Sequence, residues 1–138
     1  MQIVLLLVLL LLSSCETVWN RGNRDYATES LGEALHALSA PAENLSCDMI
    51  GTTRSFSCSG NMDGETYNRL RASLSLSSSS KLLLLEKSSC VSFSQAHKSE
   101  LLATTENRPK ELPGLDYLVV SFDRTTGQIC FGSSHSYG

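Results

Sequence analysis

Leu115-Asp116-Tyr117-Leu118-Val119-Val120-Ser121-Phe122 is the most β-prone run in the chain. Branched and aromatic side chains fit a pleated, half-buried surface, and they dominate this stretch. Asp123-Arg124-Thr125-Thr126-Gly127 follows with turn chemistry, and Gln128-Ile129-Cys130-Phe131 returns. A β-hairpin is expected here. Asp116 and Asp123 flank its first strand, where carboxylates ordinarily serve turns. The tail Gly132 to Gly138 reads as a frayed end.

A second hairpin is predicted upstream. Leu45, Cys47 and Met49 alternate with polar neighbours, Gly51-Thr52-Thr53-Arg54 reads as a turn, and Phe56 and Cys58 alternate with Ser55, Ser57 and Ser59. With that turn, Cys47 faces Cys58. Gly60 to Gly64 is turn chemistry. Leu70, Ala72, Leu74 and Leu76 then alternate with Arg69, Arg71, Ser73, Ser75 and Ser77, which predicts a strand with one wet face. Lys81 to Lys87 is a short apolar run with charged ends, read as a strand continuing through Val91 and Phe93. Ser94 to Thr104 has room for a short helix, and Glu106 to Gly114, with Pro109 and Pro113, is a loop.

One helix stands out. From Ser30 to Ala40, Leu31, Ala34, Leu35 and Leu38 form an apolar stripe at i, i+3, i+4 and i+7. Ser30-Leu31-Gly32-Glu33 fits a capping box, and Pro41 marks the end. The fold expected is α+β: one N-terminal helix packed on a mostly antiparallel β-sheet of five or six strands.

The segment before the helix divides in two. Glu16 to Ala27 is polar and shows no apolar period, which reads as a tether. Trp19 and Tyr26 are placed on the domain surface. The first residues, Met1-Gln2, lead into an unbroken apolar run, Ile3 to Leu12, then Ser13-Ser14-Cys15. About ten residues are too few to cross a bilayer, which takes roughly 20. The length fits the apolar core of an export signal.

Leu12-Ser13-Ser14-Cys15 resembles the lipobox of bacterial lipoproteins: a leucine, two small residues and a cysteine, set directly after an apolar core. The resemblance covers residues 1–16. It implies that Cys15 receives a diacylglycerol on its thiol, that cleavage falls between Ser14 and Cys15, and that the new amino group is acylated. Glu16 after the cysteine, rather than Asp, implies outer-membrane placement facing the periplasm in a diderm bacterium. Domain boundaries follow: signal peptide 1–14, lipid-anchored tether 15–27, and one small domain 28–138. The alternative is a soluble secreted protein, cut after Cys15 by an ordinary signal peptidase. No Lys or Arg precedes the apolar run, Ser13 and Cys15 are small enough for that cut, and Asn44-Leu45-Ser46 is a glycosylation sequon in a eukaryotic secretory pathway.

With Cys15 lipidated or removed, Cys47, Cys58, Cys90 and Cys130 remain, an even set suited to an oxidising compartment. Four cysteines allow three connectivities. Cys47–Cys58 and Cys90–Cys130 are the preferred pairs. Long intervals and no C-x-x-C argue against a zinc site.

A net charge of −3 without a Lys/Arg cluster argues against nucleic acid as a partner. No Gly-x-Ser-x-Gly, phosphate loop or H-E-x-x-H is present, and His36, His97 and His135 read as ordinary surface histidines. No cofactor, metal, catalytic residue or small-molecule substrate is indicated. The expected function is a non-catalytic binding or assembly module with an envelope protein partner. A soluble inhibitor or ligand protein is the alternative, and a cryptic hydrolase using Ser, His and Asp is the third reading.

Overall fold

The computed structural model describes residues 2–49, 55–78, 88–104 and 115–135. Three helices are described: α1 (Gln2–Ala37), α2 (Gly64–Ser73) and α3 (Cys90–His97). Five strands accompany them: β1 (Glu43–Met49), β2 (Ser55–Asn61), β3 (Leu101–Ala103), β4 (Leu115–Phe122) and β5 (Gln128–His135). The strands form one sheet in the order β1-β2-β5-β4-β3, antiparallel throughout. The α+β class is as the sequence predicts.

Both predicted hairpins form. β1 and β2 pair in the predicted register, Cys47 opposite Cys58, and the two cysteines are bonded. The proposed turn, Gly51 to Arg54, lies outside the described residues. The Cα atoms of Cys47 and Cys58 are 4.0 Å apart, the close spacing of a non-hydrogen-bonded antiparallel pair. The N–H of Cys47 therefore points away from β2, and the Thr28 hydroxyl on α1 accepts it at 3.2 Å. A helix side chain thus satisfies an edge-strand donor that would otherwise template another strand. A register shift between Glu43 and Ser46 coincides with Asn44 at φ 52°, a left-handed conformation that asparagine tolerates.

The β4–β5 hairpin closes through Asp123 to Gly127. Gly127, at φ 75°, supplies the left-handed residue the turn needs. The Gly127 N–H donates to the Asp123 carbonyl at 2.8 Å, and the Asp123 N–H donates to that of Gln128 at 2.9 Å. The predicted fraying from Gly132 is corrected: β5 continues to His135, because β2 and β4 pair with it on both sides.

Two predicted strands are helices instead. Residues 64–73 form α2. Tyr67, Leu70 and Leu74 are buried at i, i+3 and i+7, so the same leucines that alternate as a strand also make a helical stripe. Asp63 decides between the two periods. Its carboxylate accepts the Thr66 N–H at 2.7 Å, a helix N-cap. Residues 90–97 form α3 rather than a strand through Val91 and Phe93. Its first residue, Cys90, is bonded to Cys130 of β5, and the Ser88 hydroxyl accepts the Cys90 N–H. The possible helix after Ser94 is likewise displaced, since Leu101–Ala103 is β3. Residues 81–87, read as a strand, and the loop 106–114 lie outside the described residues.

All three helices end in one way. Ser39, Ser75 and Lys98 take left-handed φ values of 55°, 50° and 49°. The next residue's N–H then reaches five residues back: Ala40 to Leu35, Leu76 to Arg71 and Ser99 to Ser94. These bonds satisfy carbonyls that a helix end leaves bare. Ala40 and Leu35, at 0 % exposure, meet in one cluster, the apolar contact that accompanies this cap.

The core has two parts because the sheet is covered on both faces. Leu31, Ala34 and Leu35 of α1 and Tyr67 and Leu70 of α2 join Phe56, Leu118, Val120, Ile129 and Phe131 in the larger cluster. Cys90, Ala103, Val119 and Cys130 form the smaller one, with Phe93 against it. Successive β4 residues belong to alternate clusters, which explains why Leu118-Val119-Val120 is apolar without interruption. The helix is also longer than predicted. Helical backbone runs through 16–27, the stretch read as a tether, and Ala27 is already buried.

Candidate functional site

A cleft of about 290 Å³ opens where α2, the end of α3 and the β4–β5 turn meet. α2 contributes Tyr67 and Arg71. The α3 terminus and the strand entry contribute His97, Lys98, Ser99 and Glu100. Phe122, Asp123, Arg124 and Thr125 come from the end of β4 and the turn. Three separate caps set these side chains in place. Asp63 starts α2, the left-handed Lys98 ends α3, and Gly127 closes the turn, which also holds α2 through the Met62 N–H to the Gly127 carbonyl.

The floor is aromatic. Tyr67 and Phe122 stack with centroids 4.4 Å apart, and the Arg124 guanidinium lies 5.3 Å from the Tyr67 ring centroid and 5.9 Å from that of Phe122. A cation over aromatic faces is attracted by their quadrupoles. Arg124 is fixed further by donating to the Asn68 side-chain oxygen at 2.8 Å. Burial raises the Tyr67 phenol above its ordinary value, against the opposing pull of Arg71 and Arg124. The phenol therefore stays protonated, an O–H donor, at neutral pH.

At one wall, His97 Nδ1 lies 2.8 Å from Asp123 Oδ2. The same carboxylate accepts the Thr125 and Thr126 N–H groups through Oδ1, at 2.8 and 3.3 Å. Asp123 thus serves the turn, as the sequence predicts, and pairs with a histidine as well. Its carboxyl is held below the ordinary value, first by the His97 bond and then by the Thr125 N–H. Phe93, one helical turn before His97, stacks on the imidazole at 4.0 Å.

An aspartate at Nδ1 is how a catalytic histidine is oriented. Among the described residues, however, no serine hydroxyl bonds to this imidazole. Ser121 donates to the Glu100 carbonyl at 2.9 Å, so the 2.7 Å contact between Ser99 and Ser121 has Ser99 as donor. The nearest hydroxyl in sequence directs its proton away from the histidine. No group of His, Cys, Asp and Glu able to hold a metal ion occurs among the described residues.

A stability consequence follows from the Asp123 geometry. A carboxyl whose folded value is depressed contributes stability above its unfolded value and loses it as pH falls through the folded value. Asp123→Asn should lower the melting temperature at neutral pH. The difference from wild type should shrink below about pH 3.8, the ordinary value, as protonation removes the same bonds from the native chain. Thermal melts from pH 7 down to 2 read this directly; a gap that widens on acidification would contradict it.

The structure brings together four of the five cysteines singled out from sequence, as the bonded pairs Cys47–Cys58 and Cys90–Cys130. Cys15 lies on α1, and its side chain and that of Trp19 fall outside the described residues. Tyr26 and His36 are exposed, as read. His97 is not an isolated surface histidine. The cleft as a unit has no local sequence signal, since each of its residues reads as ordinary helix, turn or strand chemistry on its own. Comparison with protein-family models, with curated proteins and with solved structures finds no match to this chain.

Proposed function

We propose that the chain is a lipid-anchored protein of a bacterial cell envelope, held at the membrane through Cys15, and that it acts as a non-catalytic binding or assembly module through the cleft. The observation that carries the reading is where Cys15 falls. Before it lies an apolar segment whose Ile3 to Val8 side chains are 48–77 % exposed. After it comes a folded part in which Ala27 is the first buried residue among those described. No helix among the described residues is long and apolar enough to cross a membrane. An exposed apolar segment ahead of a folded part is accounted for by removal, and the cysteine that follows it is the residue a lipobox would modify.

Arg24 is tied to the sheet, its guanidinium meeting Asp48 of β1 at 3.2 Å. Eight residues, 16–23, separate Arg24 from Cys15. They reach about 12 Å as helix and roughly 27 Å extended. Such a short connection holds the cleft close to one surface, where effective concentration makes a weak interaction sufficient.

Expression in a diderm bacterium with labelled palmitate tests the anchor. The wild-type chain should incorporate label and lose residues 1–14. Cys15→Ala should incorporate none and retain the apolar segment. Unchanged processing of Cys15→Ala would end this reading.

A further inference from the structure

We propose that the cleft between α2, the α3 terminus and the β4–β5 turn binds a phosphate group, with Lys98 and Arg124 as its principal charges. This rests on the reading of the cleft as the binding surface and names what it takes. The chain as a whole is acidic, with net charge −3. The cleft runs against that balance. Three cations, Arg71, Lys98 and Arg124, line it with two carboxylates, Glu100 and Asp123.

Both carboxylates have other partners. Asp123 is engaged by His97 and by two backbone N–H groups. Glu100 lies 3.9 Å from Arg71 in a largely exposed pair. Neither Lys98 nor Arg124 has a carboxylate within ion-pair distance among the described residues. The geometry thus leaves two positive charges at one opening. They match a phosphate monoester, which carries about −1.5 to −2 at neutral pH, better than one carboxylate, which would leave a cation unmatched. Arg124 is already ordered by Asn68 and the two rings, so little side-chain freedom is lost when it takes a phosphate oxygen. The protonated Tyr67 phenol and the Thr125 hydroxyl add uncharged donors along the lining. The volume, about 290 Å³, is at the small end of ligand sites and suits a phosphate with the first atoms of its bearer.

The phosphate source is either a soluble monoester or a lipid headgroup. Both can be examined on the full chain, disulfides intact, in uncharged detergent micelles. Amide resonances are followed by NMR during titration with inorganic phosphate, then acetate at matched ionic strength. In further samples the micelles carry phosphatidic acid or phosphatidylcholine. Saturable shifts centred on Lys98 to Glu100 and Arg124 to Thr125 are expected with phosphate, at least tenfold weaker in Lys98→Gln and in Arg124→Gln. Both substitutions are at exposed positions, so folding is retained and is checked by the unshifted core amides. Saturation by phosphatidic acid at the same amides, and not by phosphatidylcholine, supports the proposal with a lipid source. Saturation by free phosphate alone supports it with a soluble source. Non-saturating or scattered shifts, equal binding of acetate, or unchanged binding by Arg124→Gln would overturn it. None of those outcomes bears on the lipid at Cys15, so the anchored-module reading is judged separately by its palmitate label.

Discussion

Replacing Cys90 and Cys130 together by alanine is expected to lower the unfolding free energy by about 4 kcal/mol, on the loop-entropy estimate for a bond that closes a loop of this length. The two residues are 40 apart in sequence, against 11 for Cys47 and Cys58, whose removal should cost about 3 kcal/mol on the same estimate. The longer bond also does something the shorter one does not. Cys90 is the first residue of α3, and Cys130 sits beside Ser121 in the β4–β5 ladder. Without the bond, α3 is held to the sheet by the small cluster around Ala103 and Val119 with Phe93 against it. His97, Lys98 and Ser99 ride on the far end of that helix. The double variant should therefore loosen one wall of the cleft as well as weaken the fold. Urea unfolding of the two double variants orders the costs. A smaller loss for Cys90→Ala with Cys130→Ala than for Cys47→Ala with Cys58→Ala would contradict the account.

Leu35→Ala should cost 2–5 kcal/mol, the range for removing a buried leucine side chain with partial collapse of the cavity. Leu6→Ala, on the same continuous helix, should change stability by less than about 0.5 kcal/mol. The contrast comes from environment alone. Leu35 is at 0 % exposure between the sheet and the Ala40 cap, whereas Leu6 is 64 % exposed. The pair divides α1 into a part that belongs to the domain and a part that does not. Denaturant unfolding in the presence of mild detergent measures both. A large loss for Leu6→Ala would make the apolar segment structural, and its removal as a signal would then be untenable.

The hairpins were legible because their information is local. The turn expected at Gly51 to Arg54 and the one at Asp123 to Gly127 each imply a register from a few residues of sequence, and the first of these expectations alone puts Cys47 opposite Cys58, as the sheet has it. Helices α2 and α3 were not legible, for different reasons. Around α2, Leu70 and Leu74 satisfy a period of two and a helical period together. The cap at Asp63 and the stack of Tyr67 on Phe122 select the helix. The second of these is a contact with a strand far along the chain. Around α3, the backbone follows a disulfide and a serine that accepts the Cys90 N–H, neither of which periodicity reports. The cleft is wholly non-local. His97 and Asp123 are 26 residues apart, and Arg124 and Asn68 are 56 apart. A histidine in a short helix and an aspartate opening a turn each have sufficient local explanations, so nothing in the sequence invites their pairing. The proposed export signal is the reverse case, resting on a short contiguous pattern, Ile3 to Cys15, that the sequence alone supplies.

The central claim is that Cys15 is the first residue of the mature protein and carries lipid. Mass spectrometry of the non-reduced protein purified from its native host tests it most directly, through the intact mass and the N-terminal peptide. The account predicts an N-terminal Cys15 bearing acyl mass, and an intact mass reduced by the hydrogens lost in forming two disulfides. An unmodified start at Glu16 would contradict the anchor and leave a soluble secreted protein. A retained Met1 with free thiols would contradict both export and the oxidised fold.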